Sequence, residues 1–316
     1  MVYFFLLCIS ILFSPGTQAA FYHEKNSEFA HVVYATAFPF VGKISTLREN
    51  GSYSGTGSLI EHEGIQAVLT AKHVVEGTTA LSFQFIDWEK NRPHFFQITQ
   101  WKQVGNEDMA LCFLDKRVDC ISPATLDTSK YDELDDCLIA DLVGYSSFRG
   151  QYSDSLLGRY VEPQYPSLPL AGSLFIEKKN SVWKGKFFQK KTDDLNYSPS
   201  VIPLDISPSP GDSGGPLLNR EGHIIGVTRA GLNDLKDMSS RHGWRFICKG
   251  FSNTYVRAFF EKLGQCIPSM LSPLRSWIQN FFLLPEFSVM YGEFCPVAPN
   301  LDLIKAVVEE RKKKIV

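Results

Sequence analysis

From about residue 31 onward the chain is a succession of short apolar runs cut by turn residues, a pattern that excludes folds built on long helices. HVVYATAFPFVGKI, GTGSLI, IQAVLTA, ALSFQFID, FFQITQW and DMALCFL form a first series; CLIADLVGY, GSLFIEK, VIPLDI, HIIGVTRAG and WRFICKGF form a second. Runs of this length, rich in Val, Ile, Phe and Thr, are strand-like. Asn50-Gly51 between two of them signals a hairpin, and Asn219-Arg-Glu-Gly222 turns another. An amphipathic helix is expected only after Asn253, which caps a segment from Thr254 to Leu263. The chain therefore reads as mostly β in two halves, about 31–126 and 137–252, closed by a helix over 253–264. The acidic stretch 127–136 (DTSKYDELDD) joins the halves. Residues 266–316, broken by Pro268, Pro273, Pro285, Pro296 and Pro299, read as an added extension whose end, Leu301 to Lys314, is helical.

Composition narrows the class of partner. With 316 residues and a formal net charge of -2, the chain gives no electrostatic reason to bind nucleic acid. The basic run Arg311 to Lys314 is expected to be a solvated helix end. Phe4 to Phe13 (FFLLCISILF), followed by Ser14-Pro15-Gly16 and Thr17-Gln18-Ala19, reads as a signal peptide over residues 1–19, cut after Ala19. The apolar run is too short to span a bilayer, so the mature chain is expected to be exported, secreted or periplasmic, without an integral membrane segment. Cys8 leaves with the signal. Among the remaining cysteines, proximity alone would pair Cys120 with Cys137 and Cys266 with Cys295, whereas Cys112 sits in an apolar run and reads as buried. No pair has metal-ligand spacing, and neither a metal nor an organic cofactor is expected.

The chemistry concentrates in SPSPGDSGGPLLN, Ser207 to Asn219, where one serine lies among glycines and prolines behind an aspartate. Gly211-Asp-Ser213-Gly-Gly215 satisfies G-x-S-x-G, the strand-to-helix elbow of α/β-hydrolases. That design needs a helix after the serine, and Gly214-Gly215-Pro216 followed by a strand-like run is poor material for one. It also needs an acid and then a histidine downstream, for which only Asp234 or Asp237 and then His242 are in place. The elbow is rejected. A serine in a tight loop can instead aim backbone N–H groups at a reacting carbonyl, given a histidine base and a carboxylate to orient it.

Both appear upstream. Leu69-Thr-Ala-Lys-His73-Val-Val, Glu107-Asp108-Met-Ala-Leu111 and Gly211-Asp-Ser-Gly-Gly-Pro-Leu217 resemble, in this order, the three catalytic motifs of the chymotrypsin-like (trypsin-fold) serine proteases. Gly55-Thr-Gly-Ser-Leu-Ile60 matches a further family segment, and the likeness covers roughly residues 31–265. The resemblance implies two antiparallel six-stranded β-barrels with the site in the cleft between them, within a protease domain over 20–265. It implies a serine endopeptidase acting on protein or peptide substrates, with His73, Asp108 and Ser213 catalytic and the Gly211 and Ser213 amides holding the oxyanion. His62, His94, His223 and His242 lack any such context and read as structural. The competing expectation is a binding protein that keeps the fold, or one autoinhibited by its extension.

The departures are specific. Digestive members free an Ile-Val-Gly-Gly-like amine that pairs with the aspartate before the serine; nothing like it precedes Val41-Gly42, so Asp212 needs another partner. Val74 replaces the cysteine usual after the histidine, and the likeness is closer to the compact bacterial-type branch. The implied pocket floor, six residues before the serine, is the neutral Ser207, which argues against a strict Lys or Arg preference. On the implied pocket wall stand Thr228 and Arg229, the latter facing either an acidic substrate residue or solvent.

Overall fold

A computed structural model describes residues 20–23, 26–49, 51–129, 138–146, 149–152, 158–161, 164–179, 182–186, 204, 206, 208, 211–229 and 292–315. The expected signal peptide, the helix over 253–264, Ser207, Cys137 and Cys266 lie outside the described residues.

The first half is a run of hairpins. Strands β2 (Val41–Arg48), β3 (Gly51–His62), β4 (Ile65–Thr70), β5 (Ala80–Asp87), β6 (Arg92–Gln103) and β7 (Ala110–Leu114) close into a barrel in the order β2-β3-β4-β7-β6-β5. Arg48 pairs with Gly51 across the β2–β3 turn, where Asn50-Gly51 signals it in sequence. Ile44, Leu59, Val68, Phe83, Phe85 and Leu111 fill the interior, each fully buried. Burying one such side chain contributes about 1.5–3 kcal/mol. Along β3 the usual alternation fails: every residue from Gly55 to Ile60 is buried. One face of that strand packs into the first barrel, while its other face meets the serine loop, as shown by the bond from Thr56 N to Ser213 O, 2.8 Å.

The second half is assembled differently. Strands β8 (Leu138–Gly144), β11 (Leu170–Lys179), β12 (Val182–Lys186), β13 (Pro216–Leu218), β14 (Ile224–Arg229) and β15 (Gly292–Pro296) form a second closed barrel, ordered β11-β12-β15-β14-β13-β8. Asn219 turns the β13–β14 hairpin: its side-chain oxygen accepts from the amides of Glu221 and His223. A small separate sheet joins β1 (Ala20–His23), parallel to β9 (Arg149–Tyr152), and β10 (Gly158–Val161). Helix α1 (Glu28–Ala35), capped by Ser27 Oγ, lies against β11 and places His31 Nδ1 2.8 Å from Ala171 O.

The closing strand corrects the sequence reading. Barrel two was expected to end near residue 252 and residues 266–316 to be an extension. Instead Trp183 pairs with Phe294, and Val227 with Cys295, so β15 fills the gap between β12 and β14 and completes the barrel. A short 3-10 turn (Ala298–Asn300) then leads into helix α3 (Leu301–Ile315), which packs on the first barrel through buried Ile304 and Val308. Lys102 pairs with Glu310, and Arg311 donates to Gln100 Oε1 at 3.0 Å. Physically, five residues between a proline-broken stretch and a helix carry almost no local signal; the strand exists because two unsatisfied edges wait for it. Among the described residues Cys120 and Cys295 are free, and Cys137 and Cys266, the partners expected from proximity, lie outside them. Cys112 is buried, as its apolar run implies.

Candidate active site

His73 is delivered by the end of a strand. Strand β4 stops at Thr70, Ala71 is extended, and a single helical turn, α2 (Lys72–Val75), follows. Arg48 donates to the carbonyls of His73 and Val74, at 2.6 and 3.3 Å, and so ties down a turn too short to hold itself. Asp108 lies in the β6–β7 turn, closed by Val104 N to Met109 O at 2.9 Å and anchored by fully buried Met109. One carboxylate oxygen of Asp108 accepts the backbone amide of His73 at 2.9 Å; the other lies 2.7 Å from His73 Nδ1. An ionised carboxylate only accepts, so Nδ1 carries the proton and the lone pair on Nε2 is left for chemistry. Of the neighbouring acids, Asp115 accepts from Gln97 N instead, and Glu107 accepts from Gln103 through its backbone carbonyl.

Burial pushes the Asp108 carboxyl up. The two hydrogen bonds from His73, their charge and Arg229 together outweigh it and hold Asp108 below the usual carboxylate range. Arg229 Nε stands 3.8 Å from Asp108 Oδ2. The guanidinium thus borders the aspartate while about a third of the side chain stays exposed. Thr228 is fully buried and donates its hydroxyl to Gly215 O at 2.9 Å. Beneath the pair, burial first and then Asp108 and Glu107 push the Cys295 thiol up to about 12, which leaves it protonated and inert at neutral pH.

Ser213 sits in the turn between residue 211 and β13, with only 6% of its surface exposed. Gly211 and Gly214 have φ of 99° and 84°, a region that side chains rarely adopt. At Gly214 there is no room either: a Cβ would lie 2.8 Å from Ala71 N and collide with Thr56 O. The serine loop thus packs directly on the strand end that feeds His73. Among the described residues no hydrogen bond joins Ser213 Oγ to His73 Nε2. The amides of Gly214 and Gly215 are used, donating to Thr228 O and Asp212 O at 2.8 Å each. Those of Gly211 and Ser213 donate to no acceptor among the described residues.

Three residues that sequence reasoning passed over complete the surroundings: Arg48, Thr56 and Ser146. Thr56 was visible only as the variable letter in Gly55-Thr-Gly57. Gly211 also helps to line an open groove of about 1150 Å³ on the first barrel, together with Lys43, Tyr53, Leu81 and Phe95. His62, Glu63 and Glu309 bring ligand atoms within 4.8 Å of one another at the surface, but Glu63 is paired with Lys312 at 3.0 Å. Among the described residues no helix is long and apolar enough to cross a membrane.

A family model for the trypsin-like peptidase domain matches residues 55–227. The chain belongs to the trypsin-like peptidase family. That span runs from β3 to β14, takes in His73, Asp108 and Ser213, and covers more than half of the sequence. No curated protein sequence matches. Among solved structures, the Rv3671c protease of M. tuberculosis in its active form is 18% identical, covers 70% of this chain and 82% of its own, with a TM-score of 0.41. The HtrA-type protease AlgW with a tripeptide is 16% identical, covering 90% of this chain and 64% of its own at a TM-score of 0.45. Human heparin binding protein is 15% identical, covering 62% and 81% at 0.41. Outside the trypsin-like peptidase match, β15 and α3 finish the barrel and brace it.

Proposed function

We propose that this trypsin-like peptidase is an exported serine endopeptidase. The observation that carries the reading is the double bond pattern of Asp108 on His73, backbone amide and Nδ1 together, which fixes both the ring's place and its tautomer. In the proposed reaction Ser213 Oγ attacks the peptide carbonyl as its proton passes to His73 Nε2. The tetrahedral oxyanion takes the Gly211 and Ser213 amides. His73 then protonates the departing amine, the C–N bond breaks, and an acyl-serine remains; water, deprotonated by the same nitrogen, releases the acid. These two amides, which donate to no acceptor among the described residues, support this assignment, because such a donor costs no reorganisation when charge develops beside it. Residues after the scissile bond would lie along the groove that Gly211 lines.

The test is labelling of the chain from Ala20 with a fluorophosphonate probe, beside Ser213→Ala and His73→Ala. Labelling and peptide hydrolysis should be lost in both variants, with rates falling by about 10⁴-fold or more. Labelling that persists in His73→Ala, or none in the wild type at any pH, refutes the proposal and leaves the fold as a binding scaffold.

A further inference from the structure

The aspartate before the serine has its partner inside the chain. Asp212 is 1% exposed, and Ser146 Oγ, on the segment leaving β8 and 3% exposed, stands 2.6 Å from both of its carboxylate oxygens. The end of β8 is cut to receive that carboxylate: a Cβ on Gly144 would lie 2.8 Å from Asp212 Cγ and 2.9 Å from its Cβ. From the other side comes Thr56 of β3. Its fully buried hydroxyl donates to Gly211 O at 2.6 Å and accepts from Tyr145 N at 2.9 Å, while its amide donates to Ser213 O at 2.8 Å. One residue of the first barrel thus grips the carbonyls on both sides of Asp212 and, through Tyr145, the segment that carries Ser146. The carbonyl of Asp212 itself accepts Gly215 N at 2.8 Å. In a trans peptide the C=O and the following N–H point opposite ways, so pinning Asp212 O turns the Ser213 N–H outward.

We infer that Thr56 and Ser146 are positioning residues that lock the serine loop in its oxyanion-binding shape without a cleaved N-terminus. This rests on the serine peptidase reading above. A buried carboxylate needs a bonded partner wherever the loop goes, and Ser146 supplies a bond from a side chain present from the moment the chain folds. The clamp also joins the barrels: Thr56 belongs to the first, and Gly144 and the serine loop to the second.

The experiment compares Thr56→Val, which removes the hydroxyl and keeps the shape, Thr56→Ser, which restores it, and Ser146→Ala. Each is read by kcat and KM on a peptide substrate, by fluorophosphonate rate and by thermal unfolding. Thr56→Val should lose about a hundredfold in kcat, the scale of a misplaced catalytic group, with KM within about twofold, and Thr56→Ser should recover most of it. Ser146→Ala should lose kcat in the same sense and by less. Full kcat in both Thr56→Val and Ser146→Ala overturns the inference. So does a loss that merely follows the unfolded fraction, with no recovery in Thr56→Ser. A second arm blocks the α-amine of the wild-type chain by acetylation: activity should be unchanged, and its loss would return the role to a free N-terminus. Wild-type protein that fails to label overturns the peptidase reading and this inference with it; labelled wild type with indifferent variants overturns this inference alone.

Discussion

The two barrels reach the same closed form by opposite routes. The first is contiguous, six strands from Val41 to Leu114 in which most neighbours in space are neighbours in sequence. The second borrows its last strand from Gly292–Pro296, although β14 ends at Arg229. The difference shows in what each barrel holds. The first holds the His73–Asp108 pair through bonds within one compact stretch of chain, whereas the second holds a serine loop whose shape depends on β3 of its neighbour and whose sheet depends on a distant return. Local contacts close cheaply in chain entropy and form early; long returns close late.

The sharpest way to break the comparison is to end the chain. A protein stopping at residue 291 loses β15 and α3 together, and one stopping at residue 300 loses only α3. The shorter chain should leave the facing edges of β12 and β14 unpaired and abolish hydrolysis. Hydrogen exchange should show amides of both strands unprotected while those of β3 and β4 keep measurable protection. The chain ending at 300 should retain protection in β12 and β14. Equal protection of β14 in both proteins would mean that β15 is dispensable and the asymmetry only apparent.

A point substitution separates brace from barrel. Ile304 and Val308 of α3 are buried against the first barrel at 0% and 1% exposure. Ile304→Ala should cost about 2–4 kcal/mol of unfolding free energy, from lost burial and the cavity left behind. If α3 only braces, the pH dependence and KM of the folded enzyme stay as they were; a changed KM at full folding would show that the helix also shapes the cleft.

These contrasts match what was readable beforehand. The hairpins of the first barrel, the His73 turn and the serine loop announce themselves, because turn residues and strand periodicity are local properties. Even the pairing of His73 with Asp108, and not with Asp115, was within reach from motif order. What local pattern could not carry was β15: GEFCP is too short to have a period, and only the open edges of β12 and β14 make it a strand. The same applies to Arg229, whose side chain is defined by a carboxylate far away in the chain, and to Thr56 and Ser146, which matter for backbone groups that have no letter in the sequence.

Arg229 gives the smallest effect and the finest probe of how the second barrel acts on the first. It reaches from β14 to the aspartate of the other barrel, 3.8 Å from Oδ2, with a third of its side chain exposed. Among the described residues, the charged and titratable groups around Asp108 are His73, Arg229, the neighbouring Glu107 and the Cys295 thiol. Asp108 is held below its ordinary value when folded, so the unfolded chain binds its proton more readily. Its stabilisation is complete above the unfolded carboxylate value, near pH 4, and is lost as pH falls through the lower folded one. Arg229→Gln removes one of the lowering causes, which raises the folded value toward the ordinary one and shrinks that stabilisation. At neutral pH the variant should be about 0.5 kcal/mol less stable, the scale of a partly solvent-screened pair, and the gap to wild type should close as both are acidified below the folded value. Denaturant unfolding at neutral pH and at successively lower pH values measures this directly. A gap that persists undiminished in acid would assign the loss to packing of the Arg229 stem, and the second barrel would then touch Asp108 without steering it.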